Sequence, residues 1–466
     1  MTNSAYQKIR NIVGPTGVVE KKLDQEKYLT EWRGYWRGSC DLIVRPNSVD
    51  DVSSIVKICN NQSIPITPQS GNTGLVGGGV PSGGIILSLD RMDKILNVNV
   101  SNSTLTCESG TILKNVQTAA DSVDRIFPLS LASEESCLIG GNLATNAGGV
   151  HVVRYGNIRD LVVGLEVVLP NGKIWNGLRS LKKDNTGYDL KHLFIGSEGT
   201  LGIITRCILK LFPKPQQIST AFVAAKSIEK IIKLFLKFSK FAGETLSVFE
   251  YMNSLSVEIA TNSIKGNRYP FSAFYPNFVL VELTSSNQNN ELALTMESIL
   301  SDAIADGTIL NAVLAKSIEQ RSNFWRIRET IPEAQNFKGA SIKNDISVPI
   351  SNVQKFIEEA DQATSQIVPN IRHISFGHIG DGNIHYNLSQ PTNMEKNTYL
   401  EKRNVLVEKI NTIVQKLEGS FSAEHGIGLL KKNELTRYRS NEEVELMKML
   451  KKMLDPSDIM NPGKLL

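Results

Sequence analysis

Pro65-Ile66-Thr67-Pro68-Gln69-Ser70-Gly71-Asn72-Thr73-Gly74-Leu75-Val76-Gly77-Gly78-Gly79 sets a short extended run in front of a turn with five glycines in nine residues. A helix-like stretch at 52–61 precedes it. Glycines allow the backbone N–H groups of such a turn to converge on one concavity, where their partial positive charge suits phosphate oxygens. The spacing is neither GxGxxG nor the GxxxxGK pattern of a P-loop, so both of those nucleotide sites are excluded here. Alone, the stretch is equally compatible with a glycine-rich structural turn.

Two further segments change that balance. Gly140-Gly141-Asn142-Leu143-Ala144-Thr145-Asn146-Ala147-Gly148-Gly149 follows Pro128-Leu129-Ser130, and Ile195-Gly196-Ser197-Glu198-Gly199-Thr200-Leu201-Gly202-Ile203 is the third. Their small residues leave room for a flat ring and offer backbone donors to its oxygen and nitrogen atoms. Three such loops suit a dinucleotide with a large aromatic head. Twenty of the 35 glycines fall between Gly71 and Gly202, alternating with β-rich runs at 84–89, 161–169 and 202–211. The pattern predicts an α+β domain.

The chain has 466 residues, more than one hydrophobic core accommodates, so two substantial domains are expected. Phe212-Pro213-Lys214-Pro215 stops a strand and reads as a linker, giving an N-terminal domain at 1–215 and a second at 216–466. In the second, a helix at 225–241 carries Ile228, Ile231, Ile232, Phe235, Leu236 and Phe238 at helical spacing, with five lysines among them. A core-packed helix with a solvated lysine face explains this better than a docking face for an acidic partner or membrane. Helices at 290–305 and 394–417 and β-like runs at 277–283 and 371–388 make this domain α+β too.

Composition excludes several classes. With 51 basic and 47 acidic residues the net charge is only +4, no footprint for nucleic acid. The five cysteines contain no CxxC pair, which argues against a zinc ribbon or iron–sulfur cluster and for buried, reduced thiols. No signal peptide is evident, and no apolar run approaches the roughly 20 residues of a membrane span. A soluble cytoplasmic protein is expected, with peripheral membrane contact left open.

Four of the six histidines fall between His373 and His425. In Phe376-Gly377-His378-Ile379-Gly380-Asp381-Gly382-Asn383-Ile384-His385-Tyr386-Asn387, Asp-Gly between two apolar-alternating runs predicts a tight hairpin. With Asp381-Gly382 as its loop, His378 would pair directly with His385, and Asn387 would share their face. Two imidazoles then lie close enough to hold one ion. Ser422-Ala423-Glu424-His425-Gly426-Ile427-Gly428 offers a carboxylate as third ligand. Two histidines and one carboxylate leave positions open, as in catalytic rather than structural zinc sites. Hydrogen-bonded structural histidines are the alternative.

PQSGNTGLVGGGVP, GGNLATNAGGVHVVRYGNIRDLV and IGSEGTLGIIT resemble the FAD-binding domain of FAD-linked oxidases of the vanillyl-alcohol-oxidase type. Leu454-Asp455-Pro456 with Asn461-Pro462-Gly463-Lys464 is similar to that family's closing motif, which returns to the flavin. The resemblance spans essentially the whole chain. It implies an FAD domain of two α+β subdomains followed by an α+β cap domain. It also places Pro68, Ser70, Gly71, Asn72, Thr73, Gly74, Gly77, Gly141, Asn142, Thr145, Asn146, Gly148, Gly149, Gly199, Ile203 and Asn461 at the cofactor. Some members attach FAD to a histidine in the first loop; Asn72 stands in that region, so FAD is expected to bind non-covalently. Ser70 replaces a more usual glycine.

GHIGDGNIH and SAEHGIG resemble the metal-site motifs of the D-2-hydroxy-acid dehydrogenases, those of D-2-hydroxyglutarate and D-lactate above all. The resemblance implies a divalent metal, zinc in first place, on His378, His385 and Glu424. Asn387 and His425 would contact substrate, His425 as the base. Trp325-Arg326-Ile327-Arg328-Glu329-Thr330 and Ser341-Ile342-Lys343-Asn344-Asp345-Ile346-Ser347-Val348-Pro349 resemble the substrate-binding segments, pointing to Arg328 and Lys343 as clamps for an anionic 2-hydroxy acid. One departure bears on the substrate. The threonine that D-2-hydroxyglutarate dehydrogenases carry four residues after the arginine is Pro332, which offers neither hydroxyl nor N–H.

The expected function is FAD-dependent oxidation of a D-2-hydroxy acid to the 2-oxo acid, D-2-hydroxyglutarate favoured and D-lactate or glycolate the alternative. An acceptor protein or quinone would take the electrons, since no second dinucleotide fingerprint is present. A homodimer is left open. A non-catalytic electron-relay subunit could keep the glycine loops yet lose His378, His385, Glu424, His425, Arg328 and Lys343; all six are here. A sugar or alcohol oxidase lacks support from a covalent-FAD histidine, and no GxSxG suggests a serine hydrolase.

Overall fold

In the computed structural model, which describes residues 2–289 and 291–466, the run before the first glycine turn is the strand Ile66–Gln69. It lies parallel to Ile85–Ser88, which pairs in parallel with Leu42–Val44. Parallel strands need a crossover, and the helix Val49–Gln62 supplies the one from Leu42–Val44 to Ile66–Gln69, on either side of Ile85–Ser88, burying Val52, Ile55, Val56 and Cys59. Ser48 caps that helix by accepting from the Asp51 N–H at 3.1 Å.

A second, antiparallel sheet of the same unit runs Ile95–Asn99, Thr104–Glu108, Ile203–Lys210, Val162–Val168, Ile174–Asn176. The runs predicted at 84–89, 161–169 and 202–211 are therefore strands at nearly those bounds. Cys107 faces Cys207 across this sheet with the thiol sulfurs 3.6 Å apart, and four of the five cysteines are buried. The expected linker is partly ordered pairing instead: Phe212–Pro213 joins Arg125–Ile126 as an antiparallel ribbon. Proline is tolerated there because the ribbon has only two strands, each an edge.

The contacts divide the chain into Met1–Gly148 with Gly156–Lys214 and Glu424–Leu466, and Gly149–Tyr155 with Pro215–Ala423. One of these cuts falls between Lys214 and Pro215, one residue before the expected boundary after 215, while the contacts group everything from Glu424 onward with the first unit. There Met460 forms a parallel bridge with Ile66, and the Asp455 carboxylate accepts the N–H groups of Ile459 and Met460.

The second unit is built on an eight-stranded antiparallel sheet. Its main path is Asn311–Leu314, Gln217–Ala225, Asn277–Ser285, Leu246–Asn253, Arg372–Gly377, Asn383–Ser389, Ser341–Ile342, with Asp345–Ser347 also against Asn383–Ser389. Alternate side chains point to opposite faces. Ala221, Val223, Ala225, Phe249, Tyr251, Val279 and Val281 pack beneath the helices Ile228–Phe241, Leu292–Ala305, Val353–Ile367 and Arg403–Lys416. Phe222, Ala224, Met252, Phe278, Leu280, Ile374 and Phe376 pack beneath Ser254–Ser263, Ile318–Glu329 and Ile331–Asn336. With both faces covered, these strands read as near-continuous apolar runs rather than alternating ones.

The helix predicted at 225–241 starts at Ile228, capped by Ser227, and buries Ile228, Ile231, Leu234 and Phe238. Leu236, assigned to its packed face from the sequence, is 60% exposed. It lies two positions from both Leu234 and Phe238, roughly 200° around the helix from each. The predicted helix at 290–305 is observed as Leu292–Ala305, and Asn290 lies outside the described residues. The stretch at 394–417 is two helices, Lys396–Glu401 and Arg403–Lys416. The chain is α+β throughout. No helix among the described residues is long and apolar enough to cross a membrane.

Candidate active site

In the first unit the glycine loops enclose a cleft of about 1030 Å³, its open mouth included. Close approach of the loops demands small residues: a Cβ at Gly71 would lie 2.5 Å from the carbonyl oxygen of Ser136. Of the residues expected at the cofactor, Pro68, Ser70, Gly71, Asn72, Thr73, Gly74, Gly77, Gly141, Asn142, Thr145, Gly199 and Ile203 line this cleft. Asn146, Gly148, Gly149 and Asn461 are not among its lining residues. Asn461 instead ties the loops together, donating through Nδ2 to the carbonyls of Gly78 (3.0 Å) and Glu198 (2.7 Å). Asn146 accepts the Arg159 N–H, and Gly149 belongs to the second unit.

The cleft holds a polar group awaiting a partner. Gln69 donates Nε2 to the carbonyls of Tyr28 and Gly79, yet its buried Oε1 meets no donor among the described residues. An orphaned buried acceptor in a cleft lined by backbone amides fits a polar ligand bearing both donors and acceptors.

Glu198 also lines the cleft, and the sequence reading assigned it no role. Its two carboxylate oxygens accept the N–H groups of Ile427 and Gly428, each at 2.7 Å. Burial pushes its carboxyl above the usual carboxylate range, against those hydrogen bonds and the more distant Lys431. The bond fixes the turn that begins at His425, itself a lining residue of the same cleft. An acid inside a glycine-rich turn was the available signal.

The second unit brings His378, His385, Asn387 and Arg328 together at the sheet face beneath Ile318–Glu329. Met252 pairs with Phe376, Phe376 with His385, Ile374 with Asn387, and His385 with Asp345. Directly opposed residues share a face, so His385, Asn387 and Asp345 join Phe376 there. The direct pairing of His378 with His385 predicted from Asp381-Gly382 is not observed. The partner of His385 is Phe376, and five residues, 378–382, connect the strands. His378, two past Phe376, is a diagonal neighbour of His385, and the ring centroids are 5.5 Å apart.

The turn differs because Gly382 serves a close approach rather than a two-residue loop. Its φ is +85°, and a Cβ there would sit 2.1 Å from the Val348 carbonyl oxygen. The N–H of Asn383 is taken by the His378 carbonyl and the Asp381 carboxylate.

Each of the two imidazoles has a buried carboxylate at Nδ1. Glu250 Oε1 lies 2.5 Å from His378 Nδ1, and Asp345 Oδ1 lies 3.5 Å from His385 Nδ1. A carboxylate behind Nδ1 fixes the orientation of each ring and the nitrogen it turns outward, Nε2, an arrangement typical of metal-binding histidines. The donor set therefore fits a divalent ion of borderline softness. His373, the remaining histidine of this segment, is structural: Nε2 meets Thr364 Oγ1 at 2.9 Å, and burial lowers its pKa.

Arg328 is 7% exposed and donates Nε to Glu250 Oε2 at 2.7 Å, with its guanidinium carbon 4.8 Å above the Phe376 ring. Its two terminal nitrogens meet no acceptor among the described residues. A buried guanidinium with an unfilled fork suits a carboxylate. Burial alone would raise the Glu250 carboxyl; the adjoining His378 and Arg328 outweigh it and hold it at about 2. Asn387 is buried, donating to Gln335 Oε1 at 3.0 Å, while Lys343 is exposed. Glu424 and His425 belong to the first unit, the other expected residues of this group to the second.

Residues 40–177 match the FAD binding domain family, and residues 214–465 match the FAD linked oxidases, C-terminal domain. The chain belongs to the FAD-linked oxidases. It is an FAD-dependent oxidoreductase. The mitochondrial D-2-hydroxyglutarate dehydrogenase of Arabidopsis thaliana is 39% identical over 98% of this chain and 80% of its own length. The D-2-hydroxyglutarate dehydrogenase of Xanthomonas citri pv. viticola is 35% identical over 100% of this chain and 97% of its own. Substrate-bound p-cresol methylhydroxylase shares the fold, with a TM-score of 0.76 at 17% identity over 100% of this chain and 96% of that one.

Proposed function

We propose that this enzyme oxidises a D-2-hydroxy acid, D-2-hydroxyglutarate in first place, to the 2-oxo acid, with FAD held non-covalently. The observation that carries the proposal is the buried sheet face where two carboxylate-backed imidazoles lie beside an arginine with an unfilled fork. Such a surface recognises a small anion that also has a metal-seeking oxygen. The high identity to D-2-hydroxyglutarate dehydrogenases over the whole chain supports the same substrate.

FAD supplies the two-electron acceptor for the C2 hydride. A divalent ion, zinc in first place, would be held by His378 and His385, with Glu424 as third ligand on the strength of its motif, and supplies Lewis-acid polarisation of the substrate oxygen. His425 takes the hydroxyl proton, imidazole titrating near working pH. Arg328 and Lys343 hold the carboxylate, and Asn387 orients the substrate. An acceptor protein or quinone would take the electrons onward.

Pro332 supports D-lactate or glycolate as the second reading. It occupies the first turn of Ile331–Asn336, where proline fits the helix but gives a substrate side chain nothing to bond. The test is anaerobic bleaching of the flavin by D-2-hydroxyglutarate, D-lactate, D-malate and their L forms, with and without a chelator. Bleaching by D forms and its loss on chelation are expected. Bleaching by L forms alone would overturn the stereochemistry, and indifference to chelation the metal.

A further inference from the structure

The strand Leu246–Asn253 is buried from Leu246 to Met252 and carries a single charged residue in that stretch. Glu250 is 1% exposed, and the sequence reading passed over it. Its two oxygens are divided between two different tasks: Oε1 meets His378 Nδ1, and Oε2 meets Arg328 Nε. Each of those residues has its outward end uncommitted to Glu250, Nε2 for the imidazole and the terminal nitrogens for the guanidinium.

The neighbouring strand offers an internal comparison. Glu282 is equally buried, on the same face, and also pairs with an arginine of the helix Ile318–Glu329. Yet Glu282 consumes its arginine, taking both Nε (2.8 Å) and Nη2 (2.9 Å) of Arg321, together with Trp325 Nε1 and Thr220 Oγ1. That pair is bidentate and occupies one whole edge of the guanidinium. Glu250 leaves its arginine open and reaches a histidine instead.

We propose that Glu250 is a positioning residue that sets metal affinity and anion binding together, by fixing the His378 ring with Nε2 presented and aiming the Arg328 fork from behind. The inference rests on the proposed function for the identity of the anion, but not for the metal. A buried carboxylate behind a metal-binding histidine fixes tautomer and orientation, and its loss typically costs about 10–100-fold in metal affinity. Glutamine at 250 keeps one acceptor and can serve His378 or Arg328, not both.

The experiment compares wild type, Glu250→Gln and the matched control Glu282→Gln as purified FAD-loaded proteins. Zinc affinity is read by competition with a chromophoric chelator, and anion affinity by the flavin difference spectrum on titration with 2-oxoglutarate. Glu250→Gln is expected to retain FAD, to lose about 10–100-fold in zinc affinity and to bind 2-oxoglutarate at least tenfold more weakly. Glu282→Gln is expected to lower the melting temperature and leave both affinities within twofold.

Should Glu250→Gln not fold, Glu250→Asp, which withdraws the charge by one methylene, is expected to weaken zinc in the same direction. Wild-type affinities in Glu250→Gln, or equal losses in Glu282→Gln, would overturn the positioning role. If wild type binds zinc but no 2-hydroxy acid bleaches its flavin, the proposed function falls, while the zinc arm still decides the role of Glu250 at His378.

Discussion

Replacing Glu198 with glutamine tests whether the turn carrying His425 is held by the flavin cleft itself. The carboxylate accepts two backbone N–H groups, from Ile427 and Gly428, and is 9% exposed. Hydrogen bonds to a charged acceptor contribute about 1.5–3 kcal/mol each. Burial of the carboxylate outweighs their preference for its charged form, since its pKa is raised on balance, so what glutamine loses is the second acceptor rather than the charge. Glutamine retains one acceptor and turns an NH₂ towards the other amide, so a net loss of about 2 kcal/mol is expected. If half or more of that loss appears as displacement of His425, flavin reduction slows roughly 5–30-fold. The assay is anaerobic stopped-flow bleaching at saturating D-2-hydroxyglutarate, alongside urea unfolding. The pH dependence has a defined sign. Because the folded pKa is raised, the stability linked to Glu198 is complete below about pH 4.5 and is lost as pH rises through the folded value. The gap between wild type and Glu198→Gln therefore narrows from acid towards neutral pH. Wild-type reduction rates in a destabilised variant would refute the link to His425, and a gap that widens with pH would refute the burial argument.

Gly382→Ala forces a Cβ to within 2.1 Å of the Val348 carbonyl at a φ of +85°. A loss of about 3 kcal/mol or more is expected in urea unfolding, together with weakened zinc binding, and an unchanged midpoint would contradict the turn geometry. Gln335 is fully buried, with Oε1 accepting from Asn387 and Nε2 meeting no acceptor among the described residues. If that amide donates to the distal carboxylate of a longer acid in place of a threonine at 332, Gln335→Leu raises KM for D-2-hydroxyglutarate about tenfold and leaves D-lactate within twofold. Equal effects on both acids would make Gln335 a support for Asn387 only.

Local signals in the sequence were enough for the glycine loops and the strands beside them. Turn chemistry and β-rich runs are properties of a few adjacent residues, and the bounds at 84–89, 161–169 and 202–211 came out within a residue or two. The hairpin at 372–389 was legible for the same reason, but its register was not. Asp-Gly favours a two-residue loop locally, and what displaces that loop is Val348, more than thirty residues earlier, whose carbonyl needs the space a side chain at 382 would fill. A register slip of this kind would normally send a histidine to the wrong face. It did not, because His378 moved from direct to diagonal opposition, an even number of residues, and the side-chain period is two.

Glu250 and Glu282 show what the sequence contained but local reading discarded. Leu246-Ser247-Val248-Phe249-Glu250-Tyr251-Met252 and Phe278-Val279-Leu280-Val281-Glu282-Leu283 each interrupt an apolar run with an acid. In a sheet covered on both faces such an acid has no route to solvent, so it requires a buried cation or donor. Arg321 and Arg328, seven residues or about two turns apart on one helix, are at the spacing that delivers cations to one face. The separations, 128 residues from Glu250 to His378 and 39 from Glu282 to Arg321, put the partners beyond any window. Their need for partners was nonetheless visible, and the kind of partner separates the two acids. Glu282 takes one edge of a guanidinium, an indole N–H and a strand hydroxyl, and so fastens the helix to the sheet. Glu250 holds an imidazole by Nδ1 and a guanidinium by Nε, so the carboxylate that fastens the helix also orients the two groups proposed as ligand and clamp.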